Sequence, residues 1–373
     1  MQWAATAVVA LLLAGCATTQ QSPPPSAIYY PPAPEVPKLQ FLTSLSVESD
    51  LGPSQGRFTD FILGSAPAAG QILKPYGIAL RDNRLFVCDT VAFAVQILDF
   101  KKRSFRSWRP SGSGRFSVPV NIAIDADGTR YVADTGRNRV LIFGPDEAFR
   151  GALGEGTSGR TKAHGRAPPV TGTTNDSAAV TFRPSDVLVT SNRLYVTDLK
   201  GQTVRVYDKE RRELLFTIPR DPQQKDAKLA APTNIAIDSQ GRLYVSDTGI
   251  FRVAQFDAEG QYLRALGRIG DRAGEFARPK GITVDRADRL YVVDAAHQTV
   301  QIFDPEGRLL LAFGEPGGSA APMELPAKVI VDYDHVQYFQ KYADPNFVLE
   351  HLVLVSNQIG SRKVSVYGFG HPK

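Results

Sequence analysis

The chain contains few of the residues on which most metal and nucleophile chemistry depends. It has five histidines and two cysteines, Cys16 and Cys88, among 373 residues. No CxxCH or HExxH motif is present, which excludes covalent c-type haem and a zinc-protease helix. The histidines occupy unlike positions along the chain, so they support neither a zinc triad nor an acid–base pair. We therefore expect no cofactor and no catalytic residue of these kinds.

Long apolar runs are also missing. The run at residues 4–14 is too short to cross a bilayer as a helix, and it leads into Leu13-Ala14-Gly15-Cys16. That tetrad resembles the signal of bacterial lipoproteins. The resemblance implies that residues 1–15 are removed as a signal peptide and that Cys16 becomes the diacylated first residue. The start, Met1-Gln2-Trp3, departs from the pattern because it lacks Lys or Arg.

The same resemblance bears on location. Ala17 follows Cys16, which is similar to signals that sort lipoproteins to the outer membrane of Gram-negative cells. We expect a palmitate-bearing protein of the bacterial cell envelope, anchored at the periplasmic or surface face of the outer membrane. Residues 16–37 are proline-rich and almost uncharged, which predicts an extended tether. Its Tyr29-Tyr30 pair either rests on the domain's own surface, which we favour, or docks a partner.

Residues 38–373 are expected to form one globular domain. With Cys16 lipidated, Cys88 has no disulfide partner and is expected to fill a small buried position in a strand. The 43 Lys and Arg residues exceed the 38 Asp and Glu residues only slightly, for a net charge of +5. Such a balance, in an exported lipoprotein, does not predict a nucleic-acid partner.

Six segments repeat one pattern of a proline, a short apolar strand, a turn and a second strand. In five of the six, the second strand ends in Asp. Branched apolar residues lie two apart in each first strand, as in Ile122 and Ile124, so one face of a sheet is packed. Strands and turns without a helical period indicate a blade array rather than a helical solenoid. The repeats begin at Pro75, Pro119, Pro184, Pro232, Pro279 and Pro326.

These repeats resemble the NHL family of β-propellers. The resemblance rests on Tyr131–Val140, YVADTGRNRV, and on Tyr244–Gly249, YVSDTG. It implies an all-β, six-bladed propeller with four antiparallel strands per blade around a channel, and it implies little about activity. After Pro326 only three strands fit, so we expect Leu39–Leu45 to complete the last blade as its fourth strand.

The repeat-terminal aspartates form a ring that resembles a set of catalytic carboxylates. An Asp that opens a tight turn satisfies nearby backbone amides, and its recurrence in every blade argues for architecture. The favoured interpretation is therefore structural. The residues are Asp89, Asp134, Asp198, Asp247 and Asp294.

The mouth of the channel is the position where some propeller lactonases and amidating lyases place metal ligands. The polar residues expected there are Asn121, Asp186, Asn234 and Lys328, with glycine at the other two repeats. Two Asn and one Asp provide oxygen ligands of the kind that calcium prefers. Lys328 would repel a cation, and Asn and Asp also suit a turn, so we do not predict a metal site.

Two surfaces are candidates for a protein partner. One is the basic tip Lys101-Lys102-Arg103 with Trp108 nearby, which would suit an anionic partner. The other is an insertion at residues 333–350, because long loops on a rigid scaffold often bind. Its aromatic cluster either packs on itself or contacts a partner, and consists of Tyr333, Tyr338, Phe339, Tyr342 and Phe347.

A second insertion, residues 151–181, contains GxxxxGRT at Gly154–Thr161. Arg160 replaces the usual Lys and Ala167-Pro168-Pro169 forbids a following helix, so we do not interpret it as a phosphate loop. The favoured function is a non-catalytic, membrane-tethered interaction or scaffold propeller that serves assembly or electron-transfer partners in the envelope. The alternative is a metal-dependent hydrolase or lyase, lactonase-like or amidating-lyase-like, with its site at the channel mouth.

Overall fold

The computed structural model describes residues 27–52, 70–154, 182–314 and 322–373. Within these ranges the chain forms six antiparallel sheets, so the predicted six-bladed propeller is confirmed. The innermost strands of neighbouring sheets contact one another in a closed ring around the axis. Each innermost strand begins at one of the six repeat prolines, as the repeat pattern predicts.

The strands of the first three blades follow the order of the chain from the axis outwards. Blade 1 contains β3 (Pro75–Arg81), β4 (Arg84–Asp89), β5 (Ala94–Asp99) and β6 (Ser104–Trp108). Blade 2 contains β7 (Pro119–Ile124), β8 (Arg130–Asp134), β9 (Arg139–Phe143) and β10 (Phe149–Gly154). Blade 3 contains β11 (Pro184–Val189), β12 (Arg193–Asp198), β13 (Thr203–Asp208) and β14 (Leu214–Ile218).

Blades 4 and 5 repeat this order, whereas blade 6 combines both ends of the chain. Blade 4 contains β15 (Pro232–Ile237), β16 (Leu243–Asp247), β17 (Arg252–Phe256) and β18 (Tyr262–Leu266). Blade 5 contains β19 (Pro279–Val284), β20 (Leu290–Asp294), β21 (Thr299–Phe303) and β22 (Leu309–Phe313). Blade 6 contains β23 (Pro326–Asp332), β24 (Phe347–Asn357), β25 (Val364–Pro372), β2 (Leu39–Leu45) and β1 (Tyr29–Tyr30).

The N-terminal strand closes the ring as predicted. β2 pairs antiparallel with β25, and Leu39 and Leu45 are buried against the core. β1 adds a fifth strand outside β2, so the sheet begins at Tyr29, inside the segment 16–37 expected to be a tether. Tyr30 is buried and its ring lies 6.0 Å from that of Phe313 in blade 5. The favoured interpretation of the tyrosine pair is therefore confirmed.

Apolar side chains between adjacent sheets form the core. Between blades 1 and 2, for example, the buried rings of Phe86, Trp108 and Phe143 share one cluster. Cys88 lies in the same cluster with no exposed surface, so its predicted filler role is confirmed. Burial raises the pKa of its thiol, which keeps the side chain protonated and unreactive.

The repeat-terminal aspartates are structural clips, as the sequence indicates. Asp247 is fully buried and accepts backbone N–H groups of Ala230, Ala231 and Gly249 at 2.8 to 3.2 Å. It thereby fastens the segment that enters its blade to the turn that follows its strand. The other four aspartates make equivalent bonds, and all five have no exposed surface. Their oxygens are occupied by backbone amides and, at Asp134, Asp198 and Asp294, also by a basic side chain, so these carboxylates are engaged in holding the turns.

The antiparallel order gives the disc two different faces. On one face, which we call the inter-blade face, the chain passes between blades and turns from the second strand of each blade to the third. On the opposite hairpin face it turns from the first strand to the second and from the third to the fourth. The insertion in blade 6 lies on the hairpin face and contains a short helix, α1 (Val336–Phe339). The described residues contain no helix long and apolar enough to cross a membrane.

Candidate functional site

Two of the channel residues predicted from the sequence meet across the axis. Lys328 lies near the start of β23 and Asp186 near the start of β11, which are opposite strands of the ring of six. The ammonium nitrogen of Lys328 lies 2.7 Å from Asp186 Oδ2. The Asp186 side chain is 2% exposed and that of Lys328 is 12% exposed, so this ion pair is buried. It bridges opposite blades and obstructs the channel at this level.

The two asparagines lie in the same layer. Asn234 Nδ2 donates to Asp186 Oδ2 at 3.0 Å, and Asn121 Nδ2 donates to the carbonyl of Ser185 at 2.7 Å. Their Oδ1 atoms are buried without a hydrogen-bond partner. Asn121 Oδ1 occupies the space beside Gly77 where a Cβ atom would stand, so this layer needs glycine in blade 1. The structure thus brings all four predicted channel residues into one layer.

The donor set of this layer does not fit a divalent cation. Calcium requires six to eight oxygen ligands, usually with several carboxylates. Asp186 is the layer's one carboxylate, and its Oδ2 atom already accepts the Lys328 ammonium, Asn234 Nδ2 and the backbone N–H of Ile235. Within the described ranges, no group of three or more His, Cys, Asp or Glu residues is placed to hold a metal. The ammonium provides the positive charge that a metal would otherwise supply.

A second polar pair, missed from the sequence, lies one residue closer to the inter-blade face. Tyr76 and Lys280 each follow the repeat proline in blades 1 and 5, and blade 6 contributes the small Ala327 between them. Lys280 Nζ lies 3.3 Å from the hydroxyl of Tyr76 and 5.0 Å from the centre of its ring. The four channel residues predicted from the sequence are each the second residue after a repeat proline. A comparison of the first residue after each proline would have revealed this pair.

The basic tip predicted as a partner surface is exposed but not isolated. Lys101, Lys102 and Arg103 lie on the hairpin face of blade 1. Glu147 of the neighbouring blade pairs with Arg106 and Arg130, so an acidic residue lies beside the basic tip. Trp108 is buried, with its ring 5.2 Å from that of Phe116. Trp108 is therefore a core residue, which corrects its assignment as a contact for a partner.

The aromatic insertion packs mainly on the propeller itself. Phe339 and Phe347 are buried in the core cluster between blades 1 and 6. The ring of Tyr338 stacks on Phe100 of blade 1 at 4.7 Å. The two phenylalanines are therefore core residues, which corrects their assignment to a partner surface. Tyr333, Tyr338 and Tyr342 remain partly exposed.

Exposed apolar side chains concentrate instead on the inter-blade face. Six of the twelve large exposed hydrophobic residues in the described ranges lie in its loops, whereas the hairpin-face loops contain none of them. The remaining six lie in outer strands or, for Val36, between β1 and β2. The six on the inter-blade face are Leu73, Val91, Phe93, Ile250, Ile269 and Ile359.

A groove of about 510 Å³ opens on this face between blades 1 and 2. Phe93 and Phe116 line it together with three arginines, Arg109, Arg115 and Arg137. No carboxylate in the described part of the chain pairs with these three guanidinium groups, and no carboxylate lines the groove. The groove therefore combines an apolar wall with unbalanced positive charge.

Phe93 adopts a backbone conformation that does not suit its side chain. Its φ is +50°, in the left-handed region that bulky residues avoid. The equivalent positions in the four other repeats that end in Asp hold Asn138, Gln202, Phe251 and Gln298, all with positive φ, so this conformation belongs to the turn. The Phe93 side chain is 55% exposed, so burial does not compensate for the strained backbone. What distinguishes Phe93 from Phe251, the phenylalanine at the same position of blade 4, is its greater exposure.

Several predictions lie outside the described residues. They are the signal peptide 1–15, the lipidated Cys16, the tether up to residue 26, and the GxxxxGRT segment after Gly154. A GxSxG pattern is also present at residues 52–56, of which the structure describes only Gly52. That glycine follows a 3-10 helix, Glu48–Leu51, rather than the strand that a nucleophile elbow requires.

Comparisons with known proteins agree with this architecture. A family model described as DUF5128, 6-bladed beta-propeller, matches residues 224–317. Protein brain tumor of Drosophila melanogaster is 26% identical over 158 residues, which make up 41% of this chain and 13% of that protein. The chain is an NHL-like six-bladed β-propeller. It thus aligns with only a small part of that relative's length.

Solved structures resemble this NHL-like propeller in fold. A gluconolactonase from Xanthomonas campestris has a TM-score of 0.54 at 15% identity, covering 94% of this chain and 99% of that one. A Bacteroides thetaiotaomicron protein of unknown function has a TM-score of 0.56 at 15% identity, covering 81% and 70%. Virginiamycin B lyase from Staphylococcus aureus has 0.50 at 12% identity, covering 79% and 95%. At such identities the likeness concerns the fold alone.

Proposed function

We propose that this propeller is a non-catalytic interaction module, tethered to the membrane of the cell envelope, that binds an acidic segment of another protein. The binding surface is the groove between blades 1 and 2 on the inter-blade face. The observation that carries the proposal is the groove itself, in which the exposed ring of Phe93 lies beside three arginines without carboxylate partners. Aromatic and arginine side chains are the residues that most often dominate binding at interfaces.

The charge of the groove selects the partner. Arginine donates in a fork that matches carboxylates, and Phe93 offers an apolar contact next to it. A segment with acidic residues around one apolar residue would satisfy both. The hairpin face is a weaker candidate, because its described loops hold none of the exposed large hydrophobic residues and several of its charges are paired, as Lys209 is with Asp125 at 2.8 Å. The channel is a weaker site for catalysis, since Lys328 neutralises its carboxylate.

Photo-crosslinking in the native cells tests the surface. The photoreactive residue p-benzoylphenylalanine replaces Phe93 in one strain and Lys102, on the hairpin face, in a matched control strain. We expect one discrete protein adduct from position 93, which disappears when Arg109, Arg115 and Arg137 are changed to Gln, and no adduct from position 102. An adduct to lipid, an adduct from position 102 alone, or none would contradict the proposed surface.

A single substitution separates binding from folding. Phe93→Asn places a residue that tolerates positive φ at a position where two other blades hold Gln, one holds Asn and one holds Phe. We expect the free energy of unfolding to rise by about 0.5–1 kcal/mol. The affinity for the crosslinked partner should fall at least tenfold in the same variant. Loss of stability together with binding would indicate that Phe93 serves the fold instead.

The tether is tested independently at Cys16. The acyl chains on this residue, at about 0.8 kcal/mol per methylene, would hold the protein on a membrane durably. Cys16→Ser should therefore move the protein from the membrane fraction to the soluble fraction and abolish incorporation of labelled palmitate. Equal membrane association of both proteins would reject the lipid anchor while leaving the binding surface untouched.

A further inference from the structure

Lys280 is a buried ammonium without a counter-ion. Its side chain lies at the mouth of the channel, and the residue is 9% exposed. Tyr76 is its one hydrogen-bond partner in the described part of the chain, through the hydroxyl at 3.3 Å, and no carboxylate there lies within ion-pair distance. A buried charge is normally paired, because removing it from water is costly. Nothing in the fold of the described residues supplies that pair.

The surroundings of Lys280 are positive. Burial lowers the pKa of Lys280 to about 8, and the charges of Arg278 and Lys74 act in the same direction. Arg278 precedes β19 and Lys74 precedes β3, so both cations lie at the ends of the strands that hold Lys280 and Tyr76. Burial raises the pKa of Tyr76, which keeps its hydroxyl protonated and able to donate.

The carboxylates near this mouth are already engaged. Asp186 acts on Tyr76 through its charge, but its Oδ2 atom accepts the ammonium of Lys328. Asp294 accepts the backbone N–H groups of Ala277 and Arg278, and Asp89 those of Leu73 and Lys74. Lys280, Lys74 and Arg278 therefore constitute a local excess of positive charge.

We propose that the mouth of the channel binds the oxyanion group of a small molecule, a carboxylate or a phosphate, between Lys280 and Tyr76. One ammonium N–H is donated to the Tyr76 hydroxyl, so two ammonium donors and the hydroxyl proton remain for a compact oxyanion. Arg278 and Lys74 lie at the entrance and attract the anion. The Asp186–Lys328 pair, one residue deeper along the strands, limits the ligand to a small molecule. This site is distinct from the groove between blades 1 and 2.

The test follows the ¹³Cε signals of the unmodified lysines by NMR in the full, uniformly ¹³C-labelled chain. The Lys280 signal is identified as the one missing from Lys280→Met. We expect the midpoint of its pH titration to rise by at least about half a pH unit when phosphate or succinate replaces chloride at constant ionic strength. This rise should saturate as the concentration of the anion increases. Saturation by phosphate alone or by succinate alone identifies the group recognised. Absence of a saturable shift with either anion overturns the proposal.

One variant and one control lysine guard against indirect effects. Tyr76→Phe removes one donor and should lower the affinity for the anion about fivefold without unfolding the protein. Lys341 is the matched control, because its ammonium also lies 4.8 Å from tyrosine rings but is exposed on the hairpin face. Its signal should not move when phosphate or succinate is added. Equal shifts at both lysines would indicate general ionic effects and contradict a built site.

Discussion

The ammonium of Lys328 and the carboxylate of Asp186 form an ion pair of 2.7 Å across the channel, between opposite blades separated by 142 residues in the chain. The pair fixes the distance between blades 3 and 6, and it also obstructs the channel between them. Because both charges are buried, the loss of either partner leaves the other without compensation. The pair consequently stabilises the disc. The carboxylate of Asp186 is thereby unavailable for chemistry at the axis.

This pair gives a direct prediction for stability. Lys328→Met and Asp186→Asn should each lower the free energy of unfolding by about 3 kcal/mol. The double variant should lose less than the sum of the two, by about 1–3 kcal/mol, since no charge is left unpaired. Urea denaturation measures both values. Arg308→Met, which breaks a pair with a 76% exposed guanidinium, is the control and should cost much less than either buried substitution. Additive losses in the double variant would contradict the coupling.

The aspartate clips predict a larger effect than ordinary turn residues. Asp247→Ala leaves three backbone N–H groups without an acceptor inside the blade. Each unsatisfied donor costs about 1–3 kcal/mol, so we expect a loss of about 3–5 kcal/mol on urea denaturation. Asp257→Ala, in a partly exposed turn of the same blade, should cost about 1 kcal/mol. Equal effects at the two positions would show that Asp247 is no more than a turn residue.

The closure of the ring can be tested by deletion. Removal of residues 38–46 takes β2 from the last blade, together with the buried side chains Leu39, Leu42 and Leu45. We expect the melting temperature to fall by at least about 10 °C, since each lost leucine costs about 2–5 kcal/mol. A chain that begins at residue 38 loses only β1 and should melt closer to the intact protein. An unchanged melt after deletion of residues 38–46 would reject closure by this strand.

His351 predicts a specific dependence of stability on pH. Its ring stacks on Phe369 at 4.7 Å, its Nε2 atom lies 3.0 Å from the Tyr291 hydroxyl, and burial lowers its pKa to about 4. The folded state therefore binds a proton less readily than the unfolded state. This contribution to stability is complete above pH 6.5 and is lost as the pH falls towards 4. Between these values the wild type should lose about 3 kcal/mol more than His351→Gln.

A second histidine provides a control of opposite sign for that experiment. The hydrogen bond with Asp332 raises the pKa of His335. Its contribution is therefore complete below pH 6.5 and is lost as the pH rises through the folded pKa. Relative to His335→Gln, the wild type should gain stability as the pH falls. If both substitutions changed the dependence of the unfolding free energy on pH below 6.5 in the same direction, the assignments of these two histidines would be wrong.

Much of the fold could be predicted from the sequence because its information is local and repeated. The proline that starts each inner strand, the alternation of Ile122 and Ile124, and the clip aspartates recur in register, so each blade predicts its neighbours. The missing strand of blade 6 also followed from a count of strands. Burial was harder to predict, because whether an aromatic residue such as Phe339 or Trp108 faces a neighbouring blade depends on the packing of two sheets.

The sequence by itself determined the six blades, the closing strand and the four residues of one channel layer, since each depends on period and spacing. Only the tertiary structure decided what those residues do, because the ion pair of Lys328 with Asp186 and the contact of Lys280 with Tyr76 join side chains more than 140 residues apart. It also decided which face is apolar, since the exposed loops of different blades come together only when the ring closes. The physical reason is that charge pairing and exposure are properties of distance in space, which local sequence patterns do not encode.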